Sequence, residues 1–339
     1  MREKGNLKPQ RTLVTGGSGF IGSSLVRSLL KEGHDVVVFD NNYRGHENRL
    51  SSIRGDITFI EGDICDFDQV LDAVSGCQNI FHLAFINGTR FFYEQPKLVL
   101  DVGLRGGLNI INAALREKIE TFALASSSEV YQEPTLLPTP EDERTTIPNV
   151  LNPRYSYAGA KLISELLAIN YFRESRIRHL IFRPHNVFGP DMGLEHVIPE
   201  LMRKLYVSTN GWKKSSCEIT ILGTGKESRA FCYVEDAVEQ LKIIFLKGES
   251  GNIYNVGMDS ERSIDQLVVD IASILGIEIQ VSTKSGRVGS ANRRCPSIRK
   301  LKSIGYKKKD NYHKGLERTL LWYKSLYSSS NLLEKPVST

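Results

Sequence analysis

The spacing best suited to chemistry in this chain is Tyr157-Ala-Gly-Ala-Lys161. Residues one helical turn apart share a face, so the phenol and the ammonium lie side by side. An ammonium in that position stabilises a phenolate and lowers the phenol's pKa. The tyrosine then takes or gives a proton at a hydroxyl while hydride leaves or joins the carbon bearing it. Upstream, the apolar run Phe122-Ala-Leu-Ala125 ends in Ser126-Ser127-Ser128-Glu129-Val130-Tyr131. A serine hydroxyl at such a strand end completes a proton network, and Glu129 adds a carboxylate.

Hydride needs an acceptor, and the N-terminal segment reads as a site for one. Arg11-Thr-Leu-Val-Thr15 is a short strand running into Gly16-Gly-Ser-Gly19-Phe20-Ile21-Gly22. Ile21, Leu25, Leu29 and Leu30 then follow at helical spacing. A second apolar run, Asp35 to Phe39, ends at Asp40 and Asn41. Glycines allow a tight turn and close approach of a pyrophosphate to the positive helix N-terminus. Asp40, about 20 residues on, accepts hydrogen bonds from ribose hydroxyls. Its charge repels a 2′-phosphate, which favours NAD over NADP, while nearby Arg44 pulls the other way. After the strand Ile57 to Gly62, two roles are open to Asp63, beside Ile64: a clamp on the adenine, or the N-cap of a helix from Phe67 to Val74. A further strand from Asn79 carries Leu83 and Ala84 to the cofactor's expected place.

Strands alternating with helices predict an α/β fold, a Rossmann-type doubly wound parallel sheet with ligands beyond the strands' C-terminal ends. The dinucleotide-binding domain is expected over 10–182, with a returning segment over about 223–250. A smaller α/β substrate-binding lobe takes 183–222 and 251–325, and 328–339 is a fraying tail. With 40% hydrophobic and 24% charged residues in 339, the composition is globular. The net charge of +5 is dispersed apart from Lys307 to Lys309, which argues against nucleic acid. No stretch is expected to reach the roughly 18 apolar residues of a membrane span. The polar N-terminus argues against a signal peptide. Five cysteines without metal-ligand spacing suit a reducing cytoplasm, and no metal is expected.

Taken together, the motifs resemble the extended short-chain dehydrogenase/reductase family of nucleotide-sugar epimerases and dehydratases. They are T-G-G-S-G-F-I-G, Asp40, Asp63-Ile64, H-L-A at 82–84, S-S-S-E-V-Y, Tyr157/Lys161, R-P-H-N-V-F-G-P at 183–190 and G-T-G-K-E-S-R-A-F at 223–231. Arg293-Arg294-Cys-Pro296 completes the series, which spans about residues 10–325. The resemblance implies NAD, a nucleotide-diphosphate sugar substrate, oxidation at C4 of the sugar, and a homodimer. It assigns Tyr157 as base, Lys161 as its orienting partner and Ser127 as the hydroxyl bonding the 4-oxygen. Asn87 and Asn186 are implied at the substrate, Arg229 at its diphosphate, and Arg294 as a second clamp with Arg293 the alternative.

Ser127-Ser128-Glu129 resembles the hydroxyl-x-Glu arrangement of dehydratases and UDP-glucuronate decarboxylases, where a second base acts next to the 4-ketone. Ser128 makes the spelling decarboxylase-like. Glu129 is either that base or a structural partner for a backbone amide or an arginine. The region around His196 resembles GDP-mannose 3,5-epimerase, and His196 is either an acid opposite Glu129 or a solvent-facing helix N-terminal residue. A sugar reductase and a non-catalytic NAD-binding scaffold are the rival readings. Departures from the family pattern are Phe85 with the bulky Arg90-Phe-Phe-Tyr93, Gly103 replacing an asparagine, Gln132 replacing a glycine, and an inserted stretch Val207 to Cys217, read as a lid or surface loop.

Overall fold

The computed structural model describes residues 10–284 and 292–329. The chain separates into two compact units, the first comprising 1–184, 237–256 and 297–308. Its sheet is built from β1 (Arg11–Thr15), β2 (Asp35–Asp40), β3 (Ile57–Glu61), β4 (Asn79–His82), β5 (Thr121–Ala125) and β6 (Arg178–Pro184), with Asn252–Val256 as a seventh, edge strand. All are parallel, in the order edge strand, β6, β5, β4, β1, β2, β3. The order reverses beside β1, so the switch point lies at the C-terminal ends of β1 and β4, where a doubly wound sheet takes its ligand.

Buried on both faces, the strands read as unbroken apolar runs: Val36 to Phe39 of β2 are all at 0% exposure. Between strands run α1 (Phe20–Lys31), α2 (Phe67–Val74), α3 (Thr89–Glu94), α4 (Pro96–Leu100), α5 (Gly107–Glu117) and α6 (Ser156–Phe172). A π-helical stretch, Asp101–Gly106, fuses α4 to α5. The resulting 22-residue run Pro96–Glu117 is long and apolar enough to cross a membrane, which corrects the expectation that no stretch would be. Half of its most apolar window is buried inside the protein, and it packs on α2 and α6. A core helix needs the same composition as a spanning one, because both are surrounded by apolar groups.

The second unit comprises 185–236, 257–296 and 309–339. Its described elements include helices Val197–Ser208, Ile264–Leu275 and Tyr312–Ser329 and a three-stranded sheet of Arg262–Ser263, Ser228–Arg229 and Arg293–Arg294. These bounds shift the expected domain limits. Residues 251–256 belong to the first unit because the strand there pairs with β6. Residues 223–236 belong to the second because Ser228–Arg229 pairs with strands of that unit. The insertion Val207 to Cys217 is the end of one helix, a turn and the start of strand Ser216–Leu222. Trp212 in that turn packs edge-on against Tyr206, at 5.3 Å between centroids. Of the expected tail, Ser328 and Ser329 finish the last helix, and 330–339 lie outside the described residues.

Candidate active site

A concave cradle opens at the switch point, with an empty volume of about 530 Å³. Gly16, Gly19, Asp40, Asn41, Asp63, Ile64, Leu83 and Ala84 line it, with Arg44, Phe85, Ile86 and Val102, whereas Phe20, Ile21 and Gly22 do not. Gly16 has φ of 71°, and a Cβ there would come within 2.6 Å of the Ala84 amide nitrogen. Only glycine leaves that wall open. The Asp40 carboxylate is held by two backbone amides, Ser18 at 3.0 Å and Asn42 at 2.9 Å. Thus fixed, it faces the cradle. Asp63 is not the helix cap: that is Asp66, which accepts from the amides of Asp68 and Gln69. Asp63 instead accepts from the Cys65 amide at 2.9 Å while facing the cradle. A glycine floor, a helix N-terminus and a fixed acid fit a dinucleotide with free ribose hydroxyls.

The proton machinery sits on α6 and at the end of β5. Tyr157, Lys161 and Glu165, spaced by four, are all buried. Tyr157 is hydrogen-bonded to Ser127. Ser127 also caps the short helical turn Ser128–Tyr131, its Oγ accepting from the Glu129 amide at 3.1 Å. Burial pushes the Tyr157 phenol up, the Ser127 hydrogen bond opposes this, and the charge of Glu129 pushes it further up. The expectation that Lys161 lowers this pKa is therefore not met. Lys161 donates its ammonium to the carbonyl of Ala125 at 2.6 Å and lies over the Phe85 ring at 3.8 Å. Burial pulls Lys161 down to about 7, against the pull of Glu165. His82, bonded to Thr15 at 2.7 Å, is pressed down to about 3 by burial and then by the Lys161 charge, and is neutral.

The support behind these groups carries no motif of its own in the sequence. Glu165 receives Arg183 through two nitrogens, at 2.8 and 2.6 Å, and accepts from the Ser126 hydroxyl. Arg183 donates onward to Tyr131 at 2.8 Å, and Tyr131 to Asn255 at 2.9 Å. The signal available was the four-residue step from Lys161 to Glu165, which continues the Tyr157–Lys161 face. Gln132 adopts φ of 53°, so it holds the backbone conformation that the family's glycine favours.

A family model described as the NAD dependent epimerase/dehydratase family matches residues 12–257. The chain belongs to that family. It is 30% identical over 328 residues to a UDP-N-acetyl-alpha-D-glucosaminuronate decarboxylase of Bacillus cytotoxicus, covering 94% of this chain and 98% of the relative. It is 28% identical over 348 residues to the mouse dTDP-D-glucose 4,6-dehydratase, covering 96% and 92%. Among solved structures, it resembles a UDP-N-acetylglucosamine 4-epimerase from Methanobrevibacter ruminantium M1 in complex with UDP-N-acetylmuramic acid. That match has a TM-score of 0.84 and 25% identity and covers 94% of this chain and all (100%) of that one.

As an NAD-dependent epimerase/dehydratase, the chain carries its expected substrate residues in two groups. Asn87, in the first unit, is exposed, and its side chain accepts from the Gly88 amide at 2.8 Å. The others lie in the second unit. Asn186 is held at φ of 41°, and its buried amide Nδ2 has no hydrogen-bond partner among the described residues. Arg229 and Arg294 face each other in strand register, so both project from one face of the small sheet. Arg293, the alternative clamp, is held by Glu261 at 2.5 Å. His196 is the exposed N-cap of helix Val197–Ser208.

Proposed function

We propose that this chain remodels a nucleotide-diphosphate sugar by a lyase reaction, oxidising C4 first and then using Glu129 at the adjacent C5. Bound NAD supplies the hydride acceptor; everything else falls to the protein. Tyr157, once it has given up its own proton to solvent, takes the C4 hydroxyl proton, with Ser127 beside it, as hydride leaves C4 and the ketone forms. Lys161, buried one helical turn from Tyr157, is placed to orient the cofactor's ribose. The new ketone acidifies C5, or destabilises a carboxylate attached there. Glu129 then moves the proton at C5, with loss of water or of carbon dioxide. Arg229 and Arg294 suit a diphosphate, since their planar forks match its oxygens.

The single observation carrying the lyase reading is Glu129, whose carboxylate stands close enough to Tyr157 to raise its pKa. Oxidation at C4 alone needs no second carboxylate there. The similarity to a decarboxylase and a dehydratase supports the same reading. The five cysteines, none in a disulfide among the described residues, and the exposed Ile163, Leu166 and Tyr171 on α6 support a cytoplasmic homodimer.

The test is mass spectrometry of a nucleotide-sugar panel incubated with enzyme and NAD in heavy water. Loss of water or carbon dioxide, with deuterium retained at C5, is the expected result. An isomer formed without deuterium would retire Glu129 as a carbon base and make the chain a 4-epimerase. Glu129→Gln should retain C4 oxidation, seen as reduced cofactor, and lose the second step by on the order of a hundredfold or more.

A further inference from the structure

Two departures from the family pattern meet in space. A Cβ on Gly103 would lie 2.6 Å from the Phe85 ring and 2.8 Å from the Cβ of Ala160. The missing side chain on the π-helical stretch is thus the hollow that the Phe85 ring occupies. From there the ring meets Tyr157 edge-on, at 5.1 Å between centroids and 87° between planes. Phe92 stacks on the same phenol at 4.8 Å and 20°. The face of Phe85 receives the Lys161 ammonium at 3.8 Å, closer than the Tyr157 ring at 5.9 Å. Phe85 also lines the cofactor cradle.

We propose that Phe85, seated in the hollow left by Gly103, is a positioning residue that holds the charged form of Lys161 beside the cofactor, and that the two residues work as one size-matched pair. The electron-rich ring face attracts an ammonium, most strongly where water is excluded. Lys161 is buried, with one hydrogen bond to the Ala125 carbonyl, so the ring covers a side of the ammonium that water would otherwise solvate. The other ionisable groups facing Lys161 are Glu165 one turn along α6, Tyr157 one turn before it, and His82 from β4. Glu165 supports the charge, His82 stays neutral, and Tyr157 is protonated through the neutral range. Lys161 alone among them titrates near neutrality.

The inference rests on Lys161 serving the cofactor, as in the reading above, and its test uses NAD alone so that no sugar need be known. NAD affinity is measured by calorimetry from about pH 5.5 to 9.5 in the whole protein and in Phe85→Leu, Phe85→Tyr and Gly103→Ala. Affinity should fall as pH rises through the Lys161 titration. In Phe85→Leu that midpoint should move down by about half a pH unit to one unit, because the ammonium loses its ring partner. Phe85→Tyr keeps a ring face and should keep the midpoint. Gly103→Ala displaces the ring and should follow Phe85→Leu; if it does not fold, Phe85→Leu and Phe85→Tyr decide the matter. A wild-type midpoint in Phe85→Leu, whatever its melting temperature, would overturn the proposal, as would NAD binding that ignores pH. If the wild-type protein binds no NAD at all, the cofactor reading falls with it.

Discussion

At the scale of single residues, the site is defined by how strongly burial opposes charge. Lys161 is the clearest case. Its pKa falls from an ordinary 10.5 to about 7, chiefly through burial. Unfolded, the lysine keeps its proton up to the ordinary value; folded, it loses it near neutrality. The folded state therefore bears a penalty that is complete below about pH 7 and fades toward pH 10.5, so this group makes stability rise with pH across that window. Lys161→Met should be more stable than wild type by about 1–3 kcal/mol near pH 7 in urea unfolding, and the gap should narrow toward pH 10. The variant should lose C4 oxidation. An equal gap at both pH values would show that the ammonium carries no such penalty. Tyr157 has the opposite sign: raised above its ordinary value of 10, it stabilises the fold below that pH and loses the contribution above it.

At the scale of elements, α6 is tied to the sheet by one buried ion pair. Arg183 and Glu165 are each 3% exposed, on β6 and α6, and Ser126 joins them from the end of β5. Removing one partner leaves a buried charge uncompensated. Arg183→Met should cost about 3–5 kcal/mol in urea unfolding, and adding Glu165→Gln should restore part of the loss. No recovery in the double variant would mean that the packing of the arginine stem, not the charge, sets the cost. The motif R-P-H-N-V-F-G-P marks this arginine, but a single chain does not say that its partner is a glutamate 18 residues earlier. That pairing arises because β5 and β6 are neighbours and α6 packs on β6.

At the scale of the whole molecule, the two units divide the residues by kind. The cradle and the proton machinery belong to the first; Asn186, Arg229 and Arg294 belong to the second. NAD alone should therefore raise amide exchange protection in the first unit, around residues 16–22, 40–45, 62–64 and 83–86. It should leave 228–229 and 293–294 little changed. At a hundredfold excess over its Kd, NAD should add about 2.7 kcal/mol to the first unit's stability. Equal protection of both units would show that NAD alone couples them.

What depends on local order is legible in the sequence. The strand–glycine–helix–strand–acid series and the Tyr157/Lys161 face follow from spacing, since the helical period is set by the backbone, and the parallel sheet follows from apolar runs alternating with helices. Asp63 shows the limit of local reading: cap and clamp looked alike until Asp66 was seen to fill the capping position. The domain limits moved for a similar reason, since the edge strand at 252–256 is recognised by its pairing with β6 and not by its own residues. Only the tertiary structure decided that Gly103 makes room for Phe85, that Glu165 anchors Arg183, and that the Tyr157 phenol is driven up rather than down. Each is a statement about volume or dielectric, which depends on residues far apart in the chain. Spacing places a side chain on a face; burial decides what charge it holds there.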